Sequence, residues 1–293
     1  METLYLIGNG FDLYHNLPTS YNDFHRHVTT NYNDLENIFE EYFTLRRGEN
    51  LLWTNFEEDL GTFNWKSFFD DNNHLNIFDD DFRPSFAYGL EDDLIQQTDE
   101  MKADISDAFQ DWLDTIDISS CEKRLEFLKD STFINFNYTL ILEEIYKINP
   151  DNILHIHGDI INNPGELIFG HNATMEETPE LDENGDSNRT MFTDSESAAK
   201  SLFHSFYKPV EEIITTNPNT FELLTNVKNI FVLGHSLNPI DIPYFKQISS
   251  RSKNAQWNVT YYDASEKRKN LSTLIEMGIS EKKIRLFRIE DQL

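Results

Sequence analysis

Short runs of consecutive apolar residues recur along the chain, separated by longer stretches in which apolar positions return every third or fourth residue. The runs are Leu4–Ile7, Thr132–Asn137, Ile153–His157, Leu167–Phe169, Ile230–Leu233, Trp257–Tyr262 and Ile284–Ile289. Short apolar runs of this kind predict strands buried on both faces, and most of the spacers are long enough to hold crossover helices. The expected fold is therefore α/β, a Rossmann-like and mainly parallel sheet with helices on both faces. Between residues 31 and 129 the pattern changes. Leu94, Met101, Ile105, Phe109, Trp112 and Ile116 follow the 3.6-residue period of an amphipathic helix, and Leu35, Ile38, Phe39, Tyr42 and Leu45 make a similar stripe. No convincing strand falls there, so 31–129 reads as a helical insertion, with 1–30 and 130–293 forming the core. Glu176 to Ser197 is acidic and polar with Gly and Pro, which predicts a mobile loop.

Composition narrows the function classes. The chain has 293 residues and only 39% are apolar, but 13% are aromatic, including 23 Phe, enough for a packed core. A net charge of −28 repels phosphate backbones and argues against broad nucleic-acid binding. The basic run Lys267-Arg268-Lys269 is too short to reverse this. A lone cysteine, Cys121, excludes an internal disulfide and a four-cysteine zinc ribbon. No basic leader with a cleavable apolar stretch precedes the first strand, and no apolar run approaches the roughly 18 residues of a membrane span. A cytoplasmic protein without a membrane partner is expected. The carboxylate runs Asp79-Asp80-Asp81 and Glu91-Asp92-Asp93 lack the interleaved spacing of a calcium loop and read as solvated surface.

Candidate chemistry gathers where strands end. Gly8-Asn9-Gly10 closes the first run and opens a polar segment containing Asp12. Such a turn brings backbone N–H groups and a helix start toward a phosphate, though a tight bend with Asp12 capping the helix fits equally. Asn135-Phe136-Asn137 ends the second run, placing an amide that can hold a ribose hydroxyl, a water or a helix N-terminus. His155-Ile156-His157-Gly158 ends the third. Two residues apart on a strand, both imidazoles should share a face, and His157 suits a general base near neutral pH. Gly234-His235-Ser236, with Asp241 shortly after, ends another run in the same style. A metal site built from His155, His157, His171, His235 and Asp241 is a competing reading without a recognisable ligand spacing. Nucleophile-elbow, P-loop, HExxH and kinase signatures are absent.

The blocks "LIGNGFDLYHNLPTSYNDF", "INFNYT", "LHIHG", "FGHN" and "LGHSLNPID" resemble the AbiH family of bacterial abortive-infection proteins that defend against phage, as do Trp53, Phe56, Glu57 and Leu60. A more distant similarity is to sirtuin-like NAD-cleaving domains. Gly8 and Gly10 stand at the family distance from Asn16-Leu17-Pro18, Asn137-Tyr138 resembles the Asn-Tyr-Asp motif, and His157-Gly158 resembles the catalytic His-Gly. Departures are Asn16 for glycine, Thr139 for the motif's aspartate, His235 for threonine, and Ser20-Tyr21 for the Phe-Arg that covers nicotinamide. The resemblance implies a phage-defence effector that binds NAD, or a related nucleotide, and hydrolyses its N-glycosidic bond. Asn137 and His157 would be catalytic. Gly8, Asn9, Gly10, Asp12, Pro18, Thr19, Tyr138, His171, Gly234, His235, Ser236 and Asp241 would contact the nucleotide, without zinc. A homo-oligomer and a phage-derived trigger or defence partner protein complete the expectation. The alternatives are a nucleotide sensor or interaction module without turnover, and a metal-dependent hydrolase or nuclease.

Overall fold

A computed structural model describes residues 2–46, 53, 55–163 and 165–292. The chain opens with β1 (Thr3–Ile7), α1 (Asn9–Tyr14), α2 (Tyr21–Asn31), α3 (Asn33–Tyr42), α4 (Phe56–Leu60), α5 (Trp65–Asn72) and the long α6 (Phe86–Asp114). It continues through β2 (Thr132–Asn135), α7 (Ile141–Glu144), β3 (Ile153–His155), α8 (Thr193–Ser205), α9 (Val210–Thr216) and α10 (Pro218–Glu222). The last third holds β4 (Asn229–Leu233), α11 (Ile242–Arg251), β5 (Gln256–Thr260), α12 (Ala264–Glu276) and β6 (Ile284–Phe287). Two compact units divide it: residues 1–23, 110–168 and 209–293 form one, residues 24–109 and 169–208 the other.

The first unit carries a six-stranded sheet in the order β3-β2-β1-β4-β5-β6, with every pairing parallel. This is the strand order of doubly wound dinucleotide-binding folds, whose chain reversal falls between β1 and β4. The central strands are the most apolar because both their faces are covered. All five residues of β1 are buried. Tyr5 stacks between Phe133 and Phe231 on its two neighbours, at ring separations of 5.1 and 5.0 Å. Leu6, Ile134, Val232 and Val259 belong to a second apolar layer with Tyr244, Phe245 and Ile248 of α11.

Six of the seven predicted strands are present. Leu167–Phe169 is not a strand, although the Ile168 N–H donates to the His157 carbonyl at 2.9 Å. That one bond follows a turn and is not continued into a ladder. The expected loop at 176–197 is also corrected at its end, because α8 begins at Thr193.

The second unit is helical and rich in aromatic contacts. Phe24 meets Trp53, Phe56 and Phe109 edge-on at 5.5, 4.9 and 5.3 Å, and Trp53 stacks on Phe56 at 5.2 Å. The stripe from Leu94 to Trp112 on α6 is buried, as an amphipathic helix requires, and Ile116, two residues past its end, is buried too. In α3 the buried residues are Leu35 and Phe39. Beside this cluster, the Lys208 ammonium lies 2.8 Å from Glu57, both largely removed from solvent.

Candidate functional site

Three glycines let the loops after β1 and β4 lie against each other at the chain reversal. A Cβ on Gly8 would stand 2.7 Å from the His235 Cα, one on Gly10 would stand 2.8 Å from the Gly234 Cα, and one on Gly234 would meet the Phe11 nitrogen at 2.1 Å. Gly234 also has φ +67, in the left-handed region. Backbone bonds hold this contact: Gly8 N–H donates to Leu233 O at 2.9 Å, and Gly10 N–H donates to Gly234 O at 2.7 Å. Gly234 N–H in turn donates to the Thr260 hydroxyl at the end of β5, 2.8 Å away. The glycine spacing therefore serves loop-to-loop packing, and the Gly8 and Gly10 amides are engaged within the fold.

A polar network runs from this turn across the ends of β2 and β3. Asp12, fully buried, does not cap α1. It accepts from the Asn137 amide at 2.9 Å and the Thr139 hydroxyl at 2.7 Å. Asn137 Nδ2 also donates to the Gly8 carbonyl at 3.1 Å, which engages both amide protons. Asn135 Oδ1 accepts from the Asn137 N–H at 3.1 Å. Asn135 Nδ2 approaches His155 Nδ1 at 3.5 Å, so the opposite ring nitrogen donates to Glu143 at 2.7 Å. Burial drives the Asp12 carboxyl up from its ordinary value to about 7; the bonds from Thr139 and Asn137 and the nearby His155 oppose that rise.

His157 belongs to a different group. The strand stops at His155, so the period-two alternation is lost in the following turn, and the two imidazoles do not share an environment. His157 Nε2 is 3.8 Å from one carboxylate oxygen of Asp241, and His235 Nε2 is 3.3 Å from the other. His235 Nδ1 accepts the Leu237 N–H at 3.0 Å, which puts the ring proton on Nε2, facing Asp241. Asp241 occupies the N-cap position of α11 yet makes no capping bond. Its carboxylate faces the two imidazoles instead. Phe136 packs edge-on against both rings, at 5.6 and 4.6 Å. His157 is 2% exposed and Asp241 9%.

The remaining expected contacts are scattered. Asn9 is exposed, and its amide donates to the carbonyl of buried Thr19 at 2.7 Å; Pro18 and Ser236 are exposed. Tyr138, half-buried, donates its hydroxyl to Ile168 O at 3.0 Å. His171 lies in the second unit and uses both ring nitrogens, one accepting from Ala173 N–H at 3.1 Å and the other donating to Phe203 O at 3.0 Å. Burial pushes its pKa down. Asn16 adopts φ +62, the left-handed angle expected of the residue that stands for a glycine. Among the described residues, no three His, Cys, Asp or Glu side chains gather as a metal would need. Reading the sequence missed Thr139 and Thr260 as partners of Asp12 and Gly234. Thr260 ends β5 and Thr139 lies in the bend after β2, and the sequence does not say what either hydroxyl faces.

Fold and site together define a parallel α/β protein of the dinucleotide-binding strand order, with a histidine–carboxylate–histidine cluster at the carboxyl ends of its strands. The family described as Bacteriophage abortive infection AbiH matches residues 4–262. The chain belongs to that family, and is an abortive-infection phage-defence protein. No curated protein and no solved structure matches it.

Proposed function

We propose that the chain acts in abortive infection by binding NAD, or a closely related nucleotide, and hydrolysing the bond between ribose and nicotinamide. The observation that carries this reading is the buried His157 next to Asp241, past the carboxyl end of β3 in a sheet of dinucleotide-binding order. Ligands of such sheets bind outside the carboxyl ends of the strands. A water molecule attacks the anomeric carbon as the carbon–nitrogen bond breaks through an oxocarbenium-like state. Nicotinamide leaves neutral, ADP-ribose gains the hydroxyl, and His157 takes the water's proton. Asp241 orients His157 and stabilises its protonated form, and it holds His235 on its other side. The Asn137 carbonyl oxygen accepts from the water or a ribose hydroxyl. Incubating the purified protein with NAD should release nicotinamide, and His157→Ala and Asp241→Asn should abolish the release while the far-UV circular dichroism stays unchanged. Equal release from wild type and both variants removes the proposal.

A second reading, an interaction module without turnover, draws on the first turn. Its Gly8 and Gly10 amides, which a phosphate would need, already donate to Leu233 and Gly234. It predicts that neither NAD nor ADP-ribose shifts the melting temperature.

A further inference from the structure

The opposite end of the sheet holds a cavity of about 460 Å³, within the range of small-molecule sites. Its walls come from the end of α11, the start of β5, and the turn between α12 and β6. Lys246, Lys253 and Lys283 line it, together with Trp257, Met277 and Ile279. No Asp or Glu is among the lining residues, in a chain with 52 Asp and Glu against 24 Lys and Arg. That reversal of composition has one ordinary explanation. The helices α11 and α12 end near this cavity, and a helix C-terminus carries about −0.5 charge that lysines neutralise.

The count of charges limits that explanation, and the hydrogen bonds do not. Ser249, Ser250 and Ser252 donate their hydroxyls to the carbonyls of Lys246, Gln247 and Ile248, at 3.0, 2.8 and 2.5 Å. Lys283 donates to the Lys253 carbonyl at 2.8 Å. These hydroxyls add to carbonyls still within the helical ladder, Ile248 O also accepting the Ser252 N–H at 2.9 Å, so they do not neutralise the helix end. Two helix ends amount to roughly one negative charge against three ammonium groups. The excess is positive, on a wall that continues into the apolar surface of Ala255, Met277 and Ile279.

We propose that this cavity binds a small phosphorylated ligand of the nucleoside-phosphate class, with phosphates on Lys246 and Lys253 and the apolar moiety against Met277 and Ile279. The site is separate from the strand ends that hold His157 and does not depend on any hydrolytic activity. Ammonium groups act as point charges on a phosphate, so binding weakens with salt. The same phosphate chemistry occurs on anionic lipids, and the experiment separates the two sources. Titration calorimetry of the full chain with ATP should give saturable binding that weakens on the order of tenfold or more in Lys246→Glu/Lys253→Glu. Lys246→Gln/Lys253→Gln, which removes the charge without reversing it, should also weaken it, and Lys267→Glu/Lys269→Glu should not. Absence of ATP binding overturns the proposal, as does equal binding by the double variants. Sedimentation with phosphatidylserine vesicles but no heat from ATP assigns the lysines to a lipid surface and overturns it as well.

Discussion

Asp12 offers the sharpest quantitative prediction, because a carboxyl group with no exposure to water must respond to pH. Its ordinary value is 3.8 and burial raises it to about 7 in the folded chain. A raised carboxyl pKa means that the protonated form is favoured by folding. The associated stability is present in full below about pH 4 and is lost as pH climbs through about 7. The span of roughly 3 pKa units corresponds to about 4 kcal/mol, and full burial leaves no solvent screening to discount it. Asp12→Asn copies the protonated shape. Its amide oxygen accepts from Asn137, and the Thr139 hydroxyl, which donates to the carboxylate, has to turn round and accept from the new NH2. Urea denaturation of wild type and variant at pH 5.5 and 8.5 isolates the effect, since the large negative charge destabilises both alike at high pH. Wild type should lose about 2 kcal/mol more than the variant between these pH values, the part of the span above pH 5.5, and the variant should be the more stable protein at pH 8.5. Parallel pH dependences would show that the carboxyl is solvated or paired, and the buried network would have to be redrawn.

Gly10→Ala should destabilise the first unit by about 1–3 kcal/mol in urea, because its new methyl meets the Gly234 backbone, which cannot move aside as a side chain could. Thr139→Val should cost about 1–2 kcal/mol by removing one of the two donors to Asp12, with the loss largest at high pH where the carboxylate is charged. Lys208→Met takes the cation from beside Glu57 and should cost about 3 kcal/mol, while Glu57→Gln/Lys208→Met should recover most of it; equal melting temperatures for the single and double variants would contradict this pairing.

Much of the fold could be read from the sequence because burial on both faces leaves an unbroken apolar run. β1, β2 and β4 each announce themselves in this way, β5 alternates Trp257 and Val259 with polar residues, and the α6 stripe is legible at helical period. Leu167–Phe169 has the same composition but only one ladder bond, and composition cannot distinguish a paired strand from an extended segment. The site was legible as residue types at strand ends and not as partnerships. Asp12 looked like a helix cap, whereas Asn137 and Thr139, more than 120 positions away, claim it. The Gly8–Gly10 spacing looked like a phosphate turn, yet those glycines are also required by the approach of Gly234. His155 and His157 were separated by the end of one strand, a boundary that local sequence marks poorly. Asp241 shows the opposite case. It was expected to contact the nucleotide, and only the tertiary structure shows its carboxylate facing His157 and His235 at the start of α11.

The central claim is that His157 carries N-glycosidic cleavage of NAD in defence. Cells producing wild type or His157→Ala at equal protein level are infected with a phage that the system restricts, and NAD is measured through the infection cycle. The account predicts that NAD collapses with wild type, and that the variant loses both the collapse and the protection. Full protection by His157→Ala, with NAD unchanged in either strain, would contradict it.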